Sequence, residues 1–293
     1  MNHLAFYFGN EIVEFGLGTR KFLLGRNAAK KFDMYKTLRQ AITKTKNSDY
    51  AVDNNHARNV TLNDKDVHPR QMKFFTITYI YDFLEESKLK TQSILYQYLR
   101  QVLKNIEYSE EFNTLSLLFS DFSRYVSDQL DMSGEYEMHI EMDDLNIKTL
   151  LKMMRVRFNI DEELIVPFDL SYEETILHQL RMVETISRKD VESDYIVWLD
   201  LPKLTDGINA KLDEIVGVNL HILIPQEIYC PSDLSEVLLV NDHVYDLADD
   251  ITLYKNFVLE LPNAQDIDDA QRVIRSYLNN ERTEETSQLE GIL

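Results

Sequence analysis

The sequence predicts an α/β fold, a head built on a mainly parallel sheet with a helical leg inserted into it. Three observations lead there. Over residues 21–41, KFLLGRNAAKKFDMYKTLRQA, an apolar run, a polar loop and a helix-patterned segment follow one another in the order strand, loop, helix. Over residues 85–130 the period becomes helical, with Leu95, Leu99, Val102 and Ile106 on one stripe and Leu115, Leu118, Phe119, Phe122, Val126 and Leu130 on another. Beyond residue 190, apolar runs at 195–200, 219–224 and 237–240 alternate with helical stretches, which implies parallel strands joined by right-handed crossovers.

In chain order, residues 4–8 and 12–15 are rich in β-branched and aromatic side chains and are separated by Gly9 and Asn10, a hairpin signal leading into a strand at 22–24. Residues 45–70 are polar, contain Asn54, Asn55 and Pro69, and read as a loop or edge region rather than a packed element. Alternation through Phe75, Ile77, Tyr79 and Tyr81 predicts a strand at 74–83, and the run FFTITYIYDF also suits a strand buried on both faces. Two long helices follow, with a break at 108–111 that either folds them into a hairpin or kinks a continuous rod. After Ser133 and Gly134 a strand is expected at 135–142, then a short helix from about residue 146 whose Lys148, Lys152, Arg155 and Arg157 suit its dipole.

Ser171 and Glu174 form an S-x-x-E capping box for a helix that buries Ile176, Leu180 and Val183, with His178 a surface or packing residue. A further helix closes at 212–216, and Asp266 caps a last one with Ile267, Ala270, Ile274 and Tyr277 inward. From residue 279 the tail is polar, acidic and loose by composition. The head is therefore assigned to 1–84 and 190–265, the helical leg to 85–189, and a C-terminal helix with acidic tail to 266–293.

Apolar residues make up 44% of the 293, enough for a sizeable core. The net charge of -19 on average repels nucleic acid and anionic membrane. That average hides a basic block, because residues 20–46 hold nine cations and one acid, Asp33. A single cysteine, Cys230, excludes an internal disulfide and disfavours a cysteine-based zinc site, as expected of a reducing compartment. No run reaches membrane-spanning length, so a soluble, cytoplasmic protein is expected.

The loop after residue 24 has the frame of a phosphate-binding GxxxxGK[ST] motif without its chemistry. Gly25, Asn27 and Lys31 are the vestiges, with Lys31 at the motif lysine. Lys30 replaces the second glycine, and Phe32 replaces the hydroxyl residue that would hold magnesium. The same spacing fits a plain βα turn. Asp200, at the end of YIVWLD, stands where phosphate-loop ATPases place a magnesium-holding acid, and equally suits a helix-capping or turn residue. Asp242, Asp246, Asp249 and Asp250 cluster without EF-hand spacing, which favours a solvated loop over a calcium site.

A β-hairpin, a degenerate phosphate loop, a helical insertion and a returning strand that ends in an acid reproduce the order of an ABC-type ATPase stripped of its catalytic groups. Leu201 stands where a hydrolysing member places its glutamate base. In EIVEFGLGTRKFLLGRNAAKKFDMYKTL, ILYQYLRQVLKNIE, EYEMHIEMDDLNIKTLLK and DYIVWLDLPKLTDG, over roughly residues 4–260, the chain resembles the CRISPR-associated spacer-acquisition accessory proteins of type II-A systems, in their longer-chain branch. The resemblance implies an ABC-ATPase-like α/β head and helical leg, and a homotetrameric ring stabilised by calcium. It also implies sequence-independent binding of double-stranded DNA in a lysine-lined hole, without nuclease or ATPase activity. The implied partners are the CRISPR integrase and the RNA-guided effector nuclease.

The family's ring-lining lysines have no motif that maps onto positions here, so the DNA-facing set rests on charge. Lys30, Lys31, Arg39, Lys44 and Lys46 come first, then Lys88, Lys90 and Lys104, although the last three also suit a solvated helix face. Two other readings compete with the DNA-end binder. One is a nucleotide hydrolase of the ABC class, which Phe32 and Leu201 count against; the other is an acidic interaction scaffold whose lysines are merely solvated.

Overall fold

The computed structural model describes residues 3–8, 11–16, 18, 20–43, 60–66, 72–79, 93–129, 145–153, 157–160, 162–165, 169–215, 217, 219–248 and 251–293. Lys44, Lys46, Lys88, Lys90, Arg155, Asp249, Asp250 and the strand expected at 135–142 lie outside the described residues. Two compact units divide the chain, one made of Met1–Tyr79 with Asp190–Leu293 and the other of Ile80–Lys189.

In the first unit the hairpin forms as expected. β1 (His3–Phe8) pairs antiparallel with β2 (Glu11–Gly16), and alternation along the strands puts Leu4, Phe6, Val13 and Phe15 on the buried face. β3 (Arg20–Leu24) follows, then α1 (Ala28–Thr43), which buries Met34, Leu38 and Ile42. Within the polar stretch read as a loop or edge region, residues 60–66 form a short hairpin at a sheet edge. β4 (Val60–Leu62) and β5 (Lys65–Asp66) turn through Asn63 and Asp64, both at positive φ, and extend the first sheet in the order β2-β1-β4-β5. Asn and Asp tolerate that conformation, and the fully buried Val60 anchors a hairpin too short to show a period. On β6 (Met72–Thr78) Phe74 packs on Tyr35 of α1 at 5.8 Å, and on the other face the buried Phe75 lies beside Tyr195 of the neighbouring strand at 6.0 Å between ring centroids.

In the second unit, α2 (Ile94–Val102) starts at a Ser93 cap, a 3₁₀ turn spans Ile106–Tyr108, and α3 (Glu110–Gln129) starts where Ser109 Oγ accepts from Phe112 N. Two helices form as expected, with the break at 103–109 rather than 108–111. The apolar stripe on α3 is largely exposed: Leu118 and Phe122 are 62% and 55% exposed. α4 (Ile147–Met153) is capped by Asn146, and β7 (Phe158–Ile160) pairs with β8 (Glu163–Ile165) as a two-stranded ribbon. α5 (Tyr172–Lys189) opens on the expected box, with Glu174 N donating to Ser171 Oγ and Ser171 N to the Glu174 carboxylate. Ile176, Leu180 and Val183 are buried on it, while burial and the neighbouring Arg181 lower the pKa of His178 against the pull of Glu174.

Back in the first unit, β9 (Asp194–Asp200), α6 (Asp206–Glu214), β10 (Leu220–Pro225), β11 (Val237–Val240) and β12 (Val244–Asp246) complete a six-stranded sheet ordered β12-β11-β3-β10-β9-β6. All pairs are parallel except β11 with β12, so the sheet is mixed and mostly parallel. β3 is central, which explains why Phe22, Leu23 and Leu24 are fully buried without alternation. β6 and β9 are neighbours, so the whole second unit is the connection between two adjacent parallel strands. Asp190 marks the re-entry. Burial raises its pKa, but donation from Lys73 Nζ (2.6 Å), Tyr195 Oη (2.7 Å) and Ser193 Oγ (3.0 Å) outweighs this and holds it down to about 2.

Two helices were not expected and the tail is not loose. α7 (Ile251–Glu260) precedes α8 (Ile267–Leu278), which Asp266 caps through Asp269 N and which buries Ala270, Ile274 and Tyr277. α9 (Glu284–Ile292) then packs back as part of the first unit. A Thr283–Thr286 capping box starts it, Arg272 pairs with Glu285 at 3.0 Å, and Leu289 and Leu293 are buried. Composition misleads here because two well-placed leucines suffice on a helix this short. Leu289→Ala is expected to lower the unfolding free energy by about 2–5 kcal/mol, read from urea denaturation of the full chain.

Candidate functional site

The carboxyl ends of β3, β9, β10 and β11 meet at Gly25, Leu201, Gln226 and Asn241, the edge of an open α/β sheet where ligands bind. Gly25 has φ +101°, and a Cβ there would lie 2.6 Å from Val240 O and 2.8 Å from Asn241 Oδ1. Backbone conformation and close approach therefore both demand glycine. From this point the loop turns its amides onto the protein. Arg26 N donates to Asn241 Oδ1 (2.8 Å), Asn27 N to Val240 O (3.3 Å), and Ala28 N to Arg26 O (3.0 Å). Lys30 N donates to Asn27 Oδ1 (2.9 Å) and Lys31 N to Asn27 O (3.2 Å). Asn27 is thus the N-cap of α1 and is tied to the β11–β12 turn through Nδ2 to Asn241 O (3.1 Å). The amides of Arg26, Asn27, Ala28, Lys30 and Lys31, five of those such a loop would turn to a phosphate, thus already have acceptors.

Lys31 also points inward. Its Nζ donates to Gly25 O (2.6 Å) and Gln226 O (2.7 Å), and the residue is 6% exposed. Burial lowers its pKa to about 8, with Glu227 pulling the other way. Gln226 carries the link onward, its N to Leu23 O (3.1 Å) and its Nε2 to Leu201 O (2.7 Å), so one lysine and one glutamine tie the ends of β3, β9 and β10. The expectation that Lys31 faces DNA is overturned, because a side chain at that helix position falls under the sheet edge. Asp200 is exposed at the end of β9, opposite Thr78. Among the described residues no group of three or more His, Cys, Asp or Glu is gathered to hold a metal ion.

The basic block is largely spent within the head. Arg20 Nε donates to Glu236 (2.9 Å), and the same guanidinium pairs with Asp213. Lys21 Nζ, buried, donates to Asp246 (2.7 Å) and to Ser235 O (2.8 Å), which removes Asp246 from the acidic cluster read in sequence. Arg26 pairs with Glu290 and lies 5.2 Å over the Tyr277 ring, and Lys30 Nζ donates to Asp242 O (2.8 Å). What stays outward on α1 is a stripe of Phe32, Lys36 and Arg39, with Phe32 61% exposed. Arg39 Nη1 donates to Tyr35 Oη (3.0 Å) with its guanidinium 5.9 Å over that ring. Lys104 is exposed in the second unit. Gln226 and Asn241 had no signal in the sequence, since neutral amides after strands look like turn residues.

The fold is similar to that of Stu0660 of Streptococcus thermophilus, with a TM-score of 0.66 over 95% of this chain and 86% of that one, at 15% sequence identity. At that identity the likeness is one of fold. No protein-family model matches the chain, and a search of curated proteins finds no match. Among the described residues, no helix is long and apolar enough to cross a membrane.

Two outcomes follow from this geometry. Gly25→Ala is expected to destabilise the fold by at least the ~1–3 kcal/mol of a strained backbone, seen as a lower urea midpoint. The pKa of Lys31 is lower folded, about 8, than its ordinary 10.5, so between those values the unfolded chain holds a proton that the folded one releases. Stability relative to Lys31→Met should therefore be flat below about pH 8 and rise up to about pH 10.5. Parallel urea titrations of both proteins across that window check the sign. The two hydrogen bonds survive deprotonation, because a neutral amine still has two N–H groups for the two carbonyls.

Proposed function

We propose that this chain is a non-catalytic protein that binds ends of double-stranded DNA without reading sequence, acting in CRISPR spacer acquisition like the type II-A accessory proteins its sequence resembles. The observation that carries this reading is the closure of the 25–31 loop by Asn241, Asn27 and Lys31, which leaves α1 to present its cations outward at Lys36 and Arg39. A loop whose amides are engaged in this way offers few donors to the phosphates of a nucleotide, which supports a non-catalytic reading. Cations on an outer helix face instead suit the phosphates of a polymer, which supply affinity and register but carry no sequence information.

In this reading the chain works as a cytoplasmic homotetrameric ring around DNA, with the CRISPR integrase and the RNA-guided effector nuclease as partners. Calcium would offset acids where copies meet, which suits a chain of net charge -19. The degenerate phosphate loop is then a remnant of an ABC-type head. The rival hydrolase reading lacks a hydroxyl at Phe32 and a base at Leu201. The scaffold reading has one observation in its favour, the internal pairing of Arg20, Lys21 and Arg26.

Binding of the purified chain to linear and covalently closed duplexes, with calcium or a chelator and across a salt series, tests the proposal. Preference for linear DNA that needs calcium and weakens with salt is expected. Lys36→Glu together with Arg39→Glu should flatten the log–log salt slope by about 0.9 per lost phosphate contact. Unchanged affinity in that double variant would favour the scaffold, and no binding under any condition would end the DNA reading.

A further inference from the structure

An intact duplex hides the π faces of its bases in the stack and exposes them only at its ends. A protein that prefers ends without reading sequence therefore gains from an exposed ring, since every base offers a π face to it. α1 carries such a ring. Phe32 is 61% exposed, whereas Lys31 before it and Met34 after it are buried. The ring has a neighbour in Tyr35, with centroids 6.2 Å apart and planes 35° apart. Tyr35 is fixed in turn by Trp198 at 5.3 Å and Phe74 at 5.8 Å, by Thr76 Oγ1 at 3.4 Å from its hydroxyl, and by the Arg39 donor.

Charge complements the ring. Lys36 and Arg39 stand four and seven residues after Phe32, on the same stripe, about 6 and 10 Å along the axis. Phosphates follow one another at about 3.4 Å of rise per strand, so with a duplex axis along α1 the two cations would match the second and third phosphates from a stacked base. Asp33, the one acid between residues 20 and 46, lies about 100° around the helix from Phe32. In a chain of net charge -19 this stripe is locally cationic and aromatic at once.

We infer that Phe32 is a stacking platform for the terminal base pair of a DNA end, with Lys36 and Arg39 holding the phosphates behind it. The inference rests on the DNA-end reading above and names the part of the DNA that the α1 face takes.

The test uses the full chain and blunt linear duplexes carrying 2-aminopurine at the terminal or an internal position. Wild type should change the fluorescence of the terminal probe and leave the internal one unchanged. Phe32→Ala should abolish that change and weaken binding to linear DNA by about 5- to 150-fold, the range of one base–aromatic stack. Phe32→Trp should keep both properties. A Phe32→Ala protein that still binds linear DNA with wild-type affinity and an unchanged terminal signal overturns the platform and leaves DNA binding standing. A Phe32→Ala protein that changes in oligomeric mass, with DNA binding intact, makes the ring a contact between copies and also overturns it. Failure of wild type to bind any DNA would instead remove the reading on which the platform rests.

Discussion

The middle strand of the large sheet brings two cations into a place where water is scarce, and the head is arranged around neutralising them. Arg20 and Lys21 open β3, which is flanked on both sides by parallel strands. A buried ammonium or guanidinium without a partner is costly enough to forbid the arrangement. Glu236 and Asp246 lie at the two ends of the β11–β12 segment, and Asp213 closes α6, so the acids arrive on elements that the sheet order brings beside β3. Beyond the opposite end of the strand, among the described residues no salt bridge to Lys31 is seen; two backbone carbonyls accept from its amine instead, and burial lowers its pKa despite the nearby Glu227.

This pairing changes what the charge of the chain means. A run of cations in sequence looks like a ready nucleic-acid patch, yet Arg20, Lys21 and Arg26 find their partners between residues 213 and 290. Surface charge is what remains after the interior has taken its share. On α1 the remainder is set by helical geometry: positions 31, 34, 38 and 42 turn toward the sheet, and 32, 36 and 39 turn away. One buried lysine and two outward cations are therefore consequences of the same helix, one residue apart in register.

Much of the architecture was legible because its signals were periodic or capped. The hairpin, the strands at 195–200 and 219–224, the Ser171 box and the Asp266 cap all form where the residues place them. Other elements stayed hidden for physical reasons. β4 and β5 hold too few residues to show alternation, and α9 depends on two leucines in an acidic stretch. The stripe on α3 was seen correctly as apolar, but a period says nothing about whether a partner covers it. For the candidate site, Gly25, Asn27 and Lys31 were singled out and do come together, while Gln226 and Asn241, which close the loop, are more than 190 residues away in sequence. Nothing local marks a side chain whose role is to accept one distant amide.

Gly25, Asn27 and Lys31 each have a structural reason in this fold. Gly25 is required by its φ and by the nearness of Val240 O, whether or not a phosphate was ever bound. Lys31 is required to join Gly25 O to Gln226 O, and Asn27 to cap α1. Asn241 Oδ1 accepts the Arg26 amide, so a neutral side chain takes a donor that would otherwise be open to an anion. A glycine and a lysine six residues apart can thus persist in a strand–loop–helix segment for packing alone. Spacing records where the backbone turns, and it is the second glycine, the hydroxyl and the free amides, absent or engaged here, that would record a phosphate.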